Sequence, residues 1–161
     1  MTERLGVDIG GVLIDRVNDD TDTSFFGDNY LHTTAVPGAF DAIKQLSDRR
    51  FGSQIHLVSK CGPRVEQKSR DWLAHHDFFR TTGVDPANLH FCRRRQDKAP
   101  ICETLGLTHF IDDRLEVLGY LKSVPNLYLF HPTSGEVEKH ARHLQRVHRA
   151  ESWDEILIAL I

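Results

Sequence analysis

The chain has no apolar run long enough to span a bilayer, which takes about 20 consecutive apolar residues. It opens MTERLGVDIG, an acid and a base before a short apolar run, and so lacks the longer apolar stretch and small-residue cleavage site of a signal peptide. Cysteine is scarce: Cys61, Cys92 and Cys102 form no CxxC pair and cannot all pair with one another, so they read as reduced thiols of a cytoplasmic protein. Charge of one sign is not in excess. The net charge is −3 with ten histidines counted neutral, which gives no bulk attraction to nucleic acid or to an anionic membrane and leaves only local patches open. No internal repeat and no low-complexity tract interrupts the chain.

What remains is an ordinary globular balance. At 161 residues, 40% hydrophobic and 27% charged, the chain fits one domain with one sizeable core. Leu5 to Ile9 is an apolar run that meets Gly10-Gly11, the pattern of a buried strand ending in a tight loop. Residues 16–36 are polar, with Asp19, Asp20, Thr21, Asp22, Thr23 and Ser24 close together, and read as a loop or small flap. Pro37-Gly38 opens a helical pattern through Ala39, Phe40, Ile43 and Leu46. Strands are expected at 54–58, 89–92, 108–111 and 126–130, and helices at 63–76, 97–105 and 114–122. The tail from about 134 to 161 reads as one or two helices, the last amphipathic through Trp153, Ile156, Leu157 and Leu160. Alternating strands and helices indicate an α/β protein, a Rossmann-like three-layer α/β/α sandwich with a mostly parallel central sheet.

In such a sheet, ligands sit beyond the carboxyl ends of the strands. Asp8 ends the first run, Ser59-Lys60 follows the second, Lys98 follows the third after a basic loop, and Asp112-Asp113 ends the fourth. All converge on one edge. A carboxylate can attack phosphorus and split one hard step into two. Carboxylate oxygens suit Mg²⁺. A lysine, a hydroxyl and backbone N–H groups can hold the charge of a transferring phosphoryl group.

The order and context of these residues resemble the four motifs of the haloacid dehalogenase-like hydrolase superfamily. Asp8-Ile9-Gly10-Gly11-Val12 matches motif one, HLVSK with Ser59 motif two, QDKAP with Lys98 motif three, and HFIDDR with Asp112 and Asp113 motif four. PGAFDAIKQL resembles the helix leading into motif two. The resemblance covers about residues 4–130. It implies a Mg²⁺-dependent phosphohydrolase that works through an aspartyl-phosphate. Asp8 would be nucleophile and metal ligand, and the Gly10 carbonyl and Asp112 would be further ligands. Asp113 would bind the metal, bind its water, or orient Lys98. Ser59 and Lys98 would act on the phosphoryl group, with Gly10, Gly11, Lys60 and Arg94 lining the substrate site.

One position departs from the family pattern. The phosphatases carry a second Asp two residues after the nucleophile, a general acid worth about 10²–10⁴-fold in rate; here it is Gly10. Three outcomes follow: substrates with good leaving groups, another acid such as Asp15 or His32, or binding of Mg²⁺ and a phosphorylated ligand without turnover. Phosphonate-cleaving members use a small residue there but need a cap lysine, and residues 16–36 contain none. Dehalogenases carry an aromatic. Neither insertion point leaves room for a full cap, so residues 1–161 form a single domain with only the 16–36 flap. An open site implies a phosphorylated small molecule or a macromolecular end as ligand, or a partner subunit as lid. The run Arg93-Arg94-Arg95 suits a nucleotide, a polyphosphate or a nucleic-acid end, though a solvated basic loop is the simpler reading. His140, His143 and His148 fall near one face of an expected helix. They read as an exposed histidine-rich surface rather than a metal site, because no acidic or cysteine ligand completes the spacing.

Overall fold

A computed structural model describes residues 2–16 and 27–161. Residues 17–26 of the flap, including Asp19, Asp20, Thr21, Asp22, Thr23 and Ser24, lie outside the described residues. Six strands form one parallel sheet: β1 (Leu5–Val7), β2 (Ile55–Lys60), β3 (Leu89–Cys92), β4 (His109–Asp112), β5 (Asn126–Phe130) and β6 (Val147–Ala150). Their order is β3-β2-β1-β4-β5-β6. This is the α/β, Rossmann-like architecture expected from the alternation of elements. The chain turns outward from β1 in both directions, so β1 and β4 are neighbours across the switch point where a parallel sheet opens a crevice.

The inner strands β1, β2 and β4 are buried on both faces, which is why they read as short continuous apolar runs rather than alternating ones. On one face, Leu5, Val7, Leu57 and Ile111 pack with residues of α1 (Ala39–Leu46), α2 (Pro63–His75), α3 (Phe78–Thr82) and α7 (Trp153–Leu160). On the other, Val58, Phe110, Leu127 and Leu129 pack with α4 (Lys98–Leu105) and α5 (Leu115–Tyr120). Two buried indoles anchor the segment between β1 and α1. Trp153 Nε1 donates to the Val12 carbonyl at 2.9 Å, and Trp72 Nε1 donates to the Thr33 carbonyl at 2.9 Å. Each bond satisfies an irregular backbone carbonyl that burial would otherwise strand without water.

The tail differs from the all-helical expectation. It holds a short α6 (Ser134–Lys139), a 3₁₀ stretch over Ala141–Arg146, strand β6 and then α7. β6 is an edge strand paired only to β5, and of its four residues Ala150 alone is buried. Without two buried faces, VHRA carries no apolar run. His140, His143 and His148 consequently sit on three different structures, at the end of α6, in the 3₁₀ stretch and in β6, and share no helix face. No helix of the described residues is long and apolar enough to cross a membrane. The three cysteines are buried and unpaired.

Candidate functional site

The carboxyl edge of β1, β2 and β4 borders a cavity of about 660 Å³. β1 and β4 are in register through Val7 and Ile111, so the residues that follow, Asp8 and Asp112, leave the sheet side by side. The Asp8 N–H donates to the Ile111 carbonyl at 3.0 Å and continues the pairing up to the site. Asp8, Asp112 and Asp113 are all buried, and each offers a carboxylate oxygen within 4.8 Å of the others.

Three like charges this close in a poorly hydrated place repel strongly. Lys98 supplies the compensation. It starts α4, is 2% exposed, and donates from Nζ to Asp8 Oδ1 at 3.0 Å and to Asp112 Oδ2 at 2.8 Å. Burial works against the ammonium charge, but the Asp112 and Asp8 carboxylates outweigh it and hold Lys98 well above the ordinary lysine range. Burial, followed by the Asp8 charge, pushes the Asp112 carboxyl up to about 6, while Lys98 and the Arg114 backbone N–H pull it down. Asp112 Oδ1 accepts that N–H at 2.9 Å, which tightens the turn into α5; the N-cap position itself belongs to Arg114.

Asp113 does not orient Lys98. Its carboxylate forms an ion pair with Arg16 instead. The pair packs against Gly11, whose φ of +78° is one that side chains rarely adopt. A Cβ there would collide with both Asp113 and Arg16, so the second glycine of the pair is required by the turn and by the close approach. Gly10 is different. It is exposed on the cavity wall, and a Cβ added to it would meet nothing within 4 Å.

Ser59 and Lys60 are the last two residues of β2 rather than a loop beyond it, and both line the cavity. Asp15 lines it too, whereas His32 lies away from it, edge-on to His75 at 6.3 Å between ring centroids. The arginine run splits three ways. Arg93 pairs with Glu66 at 2.9 Å, Arg94 with Asp97 at 3.1 Å, and Arg95 with Glu116 at 2.8 Å. Of the three, only Arg95 borders the cavity, so Arg94 is not placed on a ligand there. Successive residues in a tight turn point in different directions, which the run of identical letters conceals. Cys61 also borders the cavity, and burial raises its thiol above the usual range, leaving it a protonated wall residue and not a nucleophile.

Two cationic residues of the cavity were not evident from the motifs, Arg16 and Arg114. Each lies one residue beyond an aspartate, Asp15 and Asp113, and that adjacency was the available signal. The carboxylate cluster suits a hard divalent cation. Its donors are all oxygens, mutually close, and already oriented by strand ends and by Lys98. Asp8, Asp112 and Asp113 would hold such an ion, with Gly10 on the adjoining wall.

No protein-family model matches the chain, and no curated protein does. Its fold is similar to the solved structure of a proposed haloacid dehalogenase-like hydrolase from Burkholderia xenovorans LB400, with a TM-score of 0.64 over 98% of this chain and 96% of that one. At 11% sequence identity this is a likeness of fold, and the chain has a haloacid dehalogenase-like fold.

Proposed function

We propose that this chain is a Mg²⁺-dependent phosphohydrolase that uses Asp8 as nucleophile and acts on phosphorylated compounds with good leaving groups. The observation that carries the reading is the meeting of Asp8, Asp112, Asp113 and Lys98, drawn from three separate stretches of chain, at the carboxyl edge of adjacent parallel strands.

A divalent cation at the three carboxylates would offset negative charge on the phosphoryl group. Lys98 Nζ donates to Asp8 Oδ1 at 3.0 Å and fixes the orientation of the attacking carboxylate. The Asp8 carboxylate attacks phosphorus; an O–P bond forms to Asp8 as the bond to the leaving oxygen breaks, and the leaving group departs with the electron pair. Ser59 and Gly10 border the phosphoryl space, and the Ser59 hydroxyl suits its oxygens; the Gly11 N–H is taken by the Ile14 carbonyl at 2.9 Å. Water then cleaves the aspartyl-phosphate and restores Asp8. Gly10 offers no proton to the departing group, so the reaction favours groups stable as anions, such as those of acyl and aryl phosphates or anhydrides. Asp15 on the same cavity wall is the alternative proton donor.

Between β1 and α1 the described residues hold only a tight turn, two isolated bridges and the 3₁₀ turn Tyr30–His32, and between β2 and β3 only α2, α3 and the 3₁₀ turn Pro86–Asn88. These short insertions support a site without a cap domain. The bare Gly10 also favours a second reading, a module that binds Mg²⁺ and a phosphorylated ligand without turning it over.

Phosphate release from acyl, aryl, sugar and nucleotide phosphates, measured with and without Mg²⁺, separates the two. The first reading expects Mg²⁺-dependent turnover on acyl and aryl phosphates that Asp8→Asn abolishes. Binding without release on any donor at high enzyme concentration supports the second reading. Activity retained by Asp8→Asn contradicts the first.

A further inference from the structure

The cavity gathers five cationic side chains around its carboxylates. Three of its carboxylates form the cluster and Asp15 is the fourth. Against them stand Lys98, Lys60, Arg16, Arg95 and Arg114.

These cations are not equally committed. Lys98 is held by Asp8 and Asp112 at 3.0 and 2.8 Å, and Arg95 by Glu116 at 2.8 Å. Among the described residues the acid paired with Arg114 is Glu136 at 4.0 Å, a loose contact, and the Arg114 side chain is 44% exposed. Arg16, 46% exposed, has Asp113 as its partner, one of the three carboxylates that suit a metal. A cation there would compete with Arg16 for the same carboxylate. Arg16 is paired with Asp113, the residue immediately before Arg114, and both arginines line the same cavity. Two guanidinium groups lining one cavity, with weak or exchangeable partners, suit an oxyanion.

We infer that Arg16 and Arg114 form a second anion subsite, and that the substrate is a phosphorylated compound bearing a further anionic group, a carboxylate or a second phosphate, close to the phosphoryl group. The inference rests on the phosphoryl-site reading of the preceding subsection. Arg16 passes from Asp113 to the ligand when a divalent cation takes Asp113, so recognition of the second group depends on the metal.

The test is calorimetric binding of three non-hydrolysable probes to the full chain in saturating Mg²⁺: ethylphosphonate, 3-phosphonopropionate and ethane-1,2-bisphosphonate. The expected result is that one or both doubly anionic probes bind at least about tenfold tighter than ethylphosphonate, the scale of one charge-assisted contact. The tighter probe identifies the second group as carboxylate or phosphate. In Arg16→Gln and in Arg114→Gln the preference shrinks, while ethylphosphonate binding changes far less. Both side chains are about half exposed, so the variants are expected to keep the wild-type circular dichroism. Equal affinity for all three probes, or a preference that survives both substitutions, overturns the subsite and leaves the phosphoryl site standing. Failure of ethylphosphonate and both other probes to bind overturns the phosphoryl site and the subsite together.

Discussion

The ammonium of Lys98 lies 2.8 Å from Asp112 Oδ2 at a position where both side chains are almost wholly shielded from water. A buried ion pair contributes little net stability as a pair, because both charges lose hydration, but removing one partner leaves the other uncompensated. Lys98→Met strands Asp112 and Asp8 together. The variant is expected to lose about 3–5 kcal/mol of folding stability. Added Mg²⁺ is expected to restore more stability to it than it adds to the wild type, since the ion supplies the missing charge. Denaturant titrations with and without Mg²⁺ check this. A variant as stable as wild type without metal would contradict the compensating role of Lys98.

Gly10 and Gly11 are adjacent but are expected to respond in opposite ways. A side chain at Gly10 enters open cavity, so Gly10→Asp is expected to fold normally and to return a proton donor to the site. Turnover of phosphates with poor leaving groups should rise, with about 10²–10⁴-fold as the ceiling for a well-placed acid, and acyl phosphates should gain least. Gly11→Ala forces a Cβ onto a φ of +78° and into Asp113 and Arg16. It should lower stability and disorder Asp113. Steady-state kinetics and thermal melts of the two variants provide the comparison; a silent Gly11→Ala would show that the turn is not held as described.

How far the sequence reveals this site depends on how each residue is held. Asp8 and Asp112 end apolar runs that are buried on both faces, and Lys98 opens a helix, so strand ends and helix starts put them on one edge. Strands β1, β2, β4 and β5 are legible as such runs, and edge strand β3 because LHFC is still mostly apolar. β6 is not, because an edge strand with one buried residue, Ala150, carries no apolar run. Arg16 and Arg114 escaped notice because their directions are set by what meets them in space. Arg94 misled for the converse reason: the letter suits phosphate, but the side chain turns to Asp97.

His56 and His90 form a stacked pair on β2 and β3, with Nδ1 of one 3.2 Å from Nε2 of the other. Burial, and for His56 also the His90 charge, lowers both below the ordinary histidine value of about 6.5. Between the folded and unfolded values the unfolded chain binds more protons, so stability rises with pH there. The contribution of the pair is full above about pH 6.5 and is lost as pH falls through the folded values. Denaturant midpoints should therefore drop between about pH 7.5 and about pH 5.5, and the double variant His56→Gln/His90→Gln should flatten part of that slope. His109 and His143, whose values burial also lowers, add to the slope, and Asp112, whose carboxyl burial pushes up to about 6, opposes it at the acid end. A wild-type midpoint independent of pH over this range would contradict a neutral His56–His90 pair.

The most direct test of the nucleophilic role of Asp8 is acid quenching. The protein is mixed with Mg²⁺ and phosphorus-labelled acetyl phosphate, denatured in acid within the first turnovers, and digested. The label is expected on the peptide containing Asp8, to require Mg²⁺, and to be absent from Asp8→Asn. Phosphate release by the wild type with no protein-bound label, or equal labelling of Asp8→Asn, would contradict it.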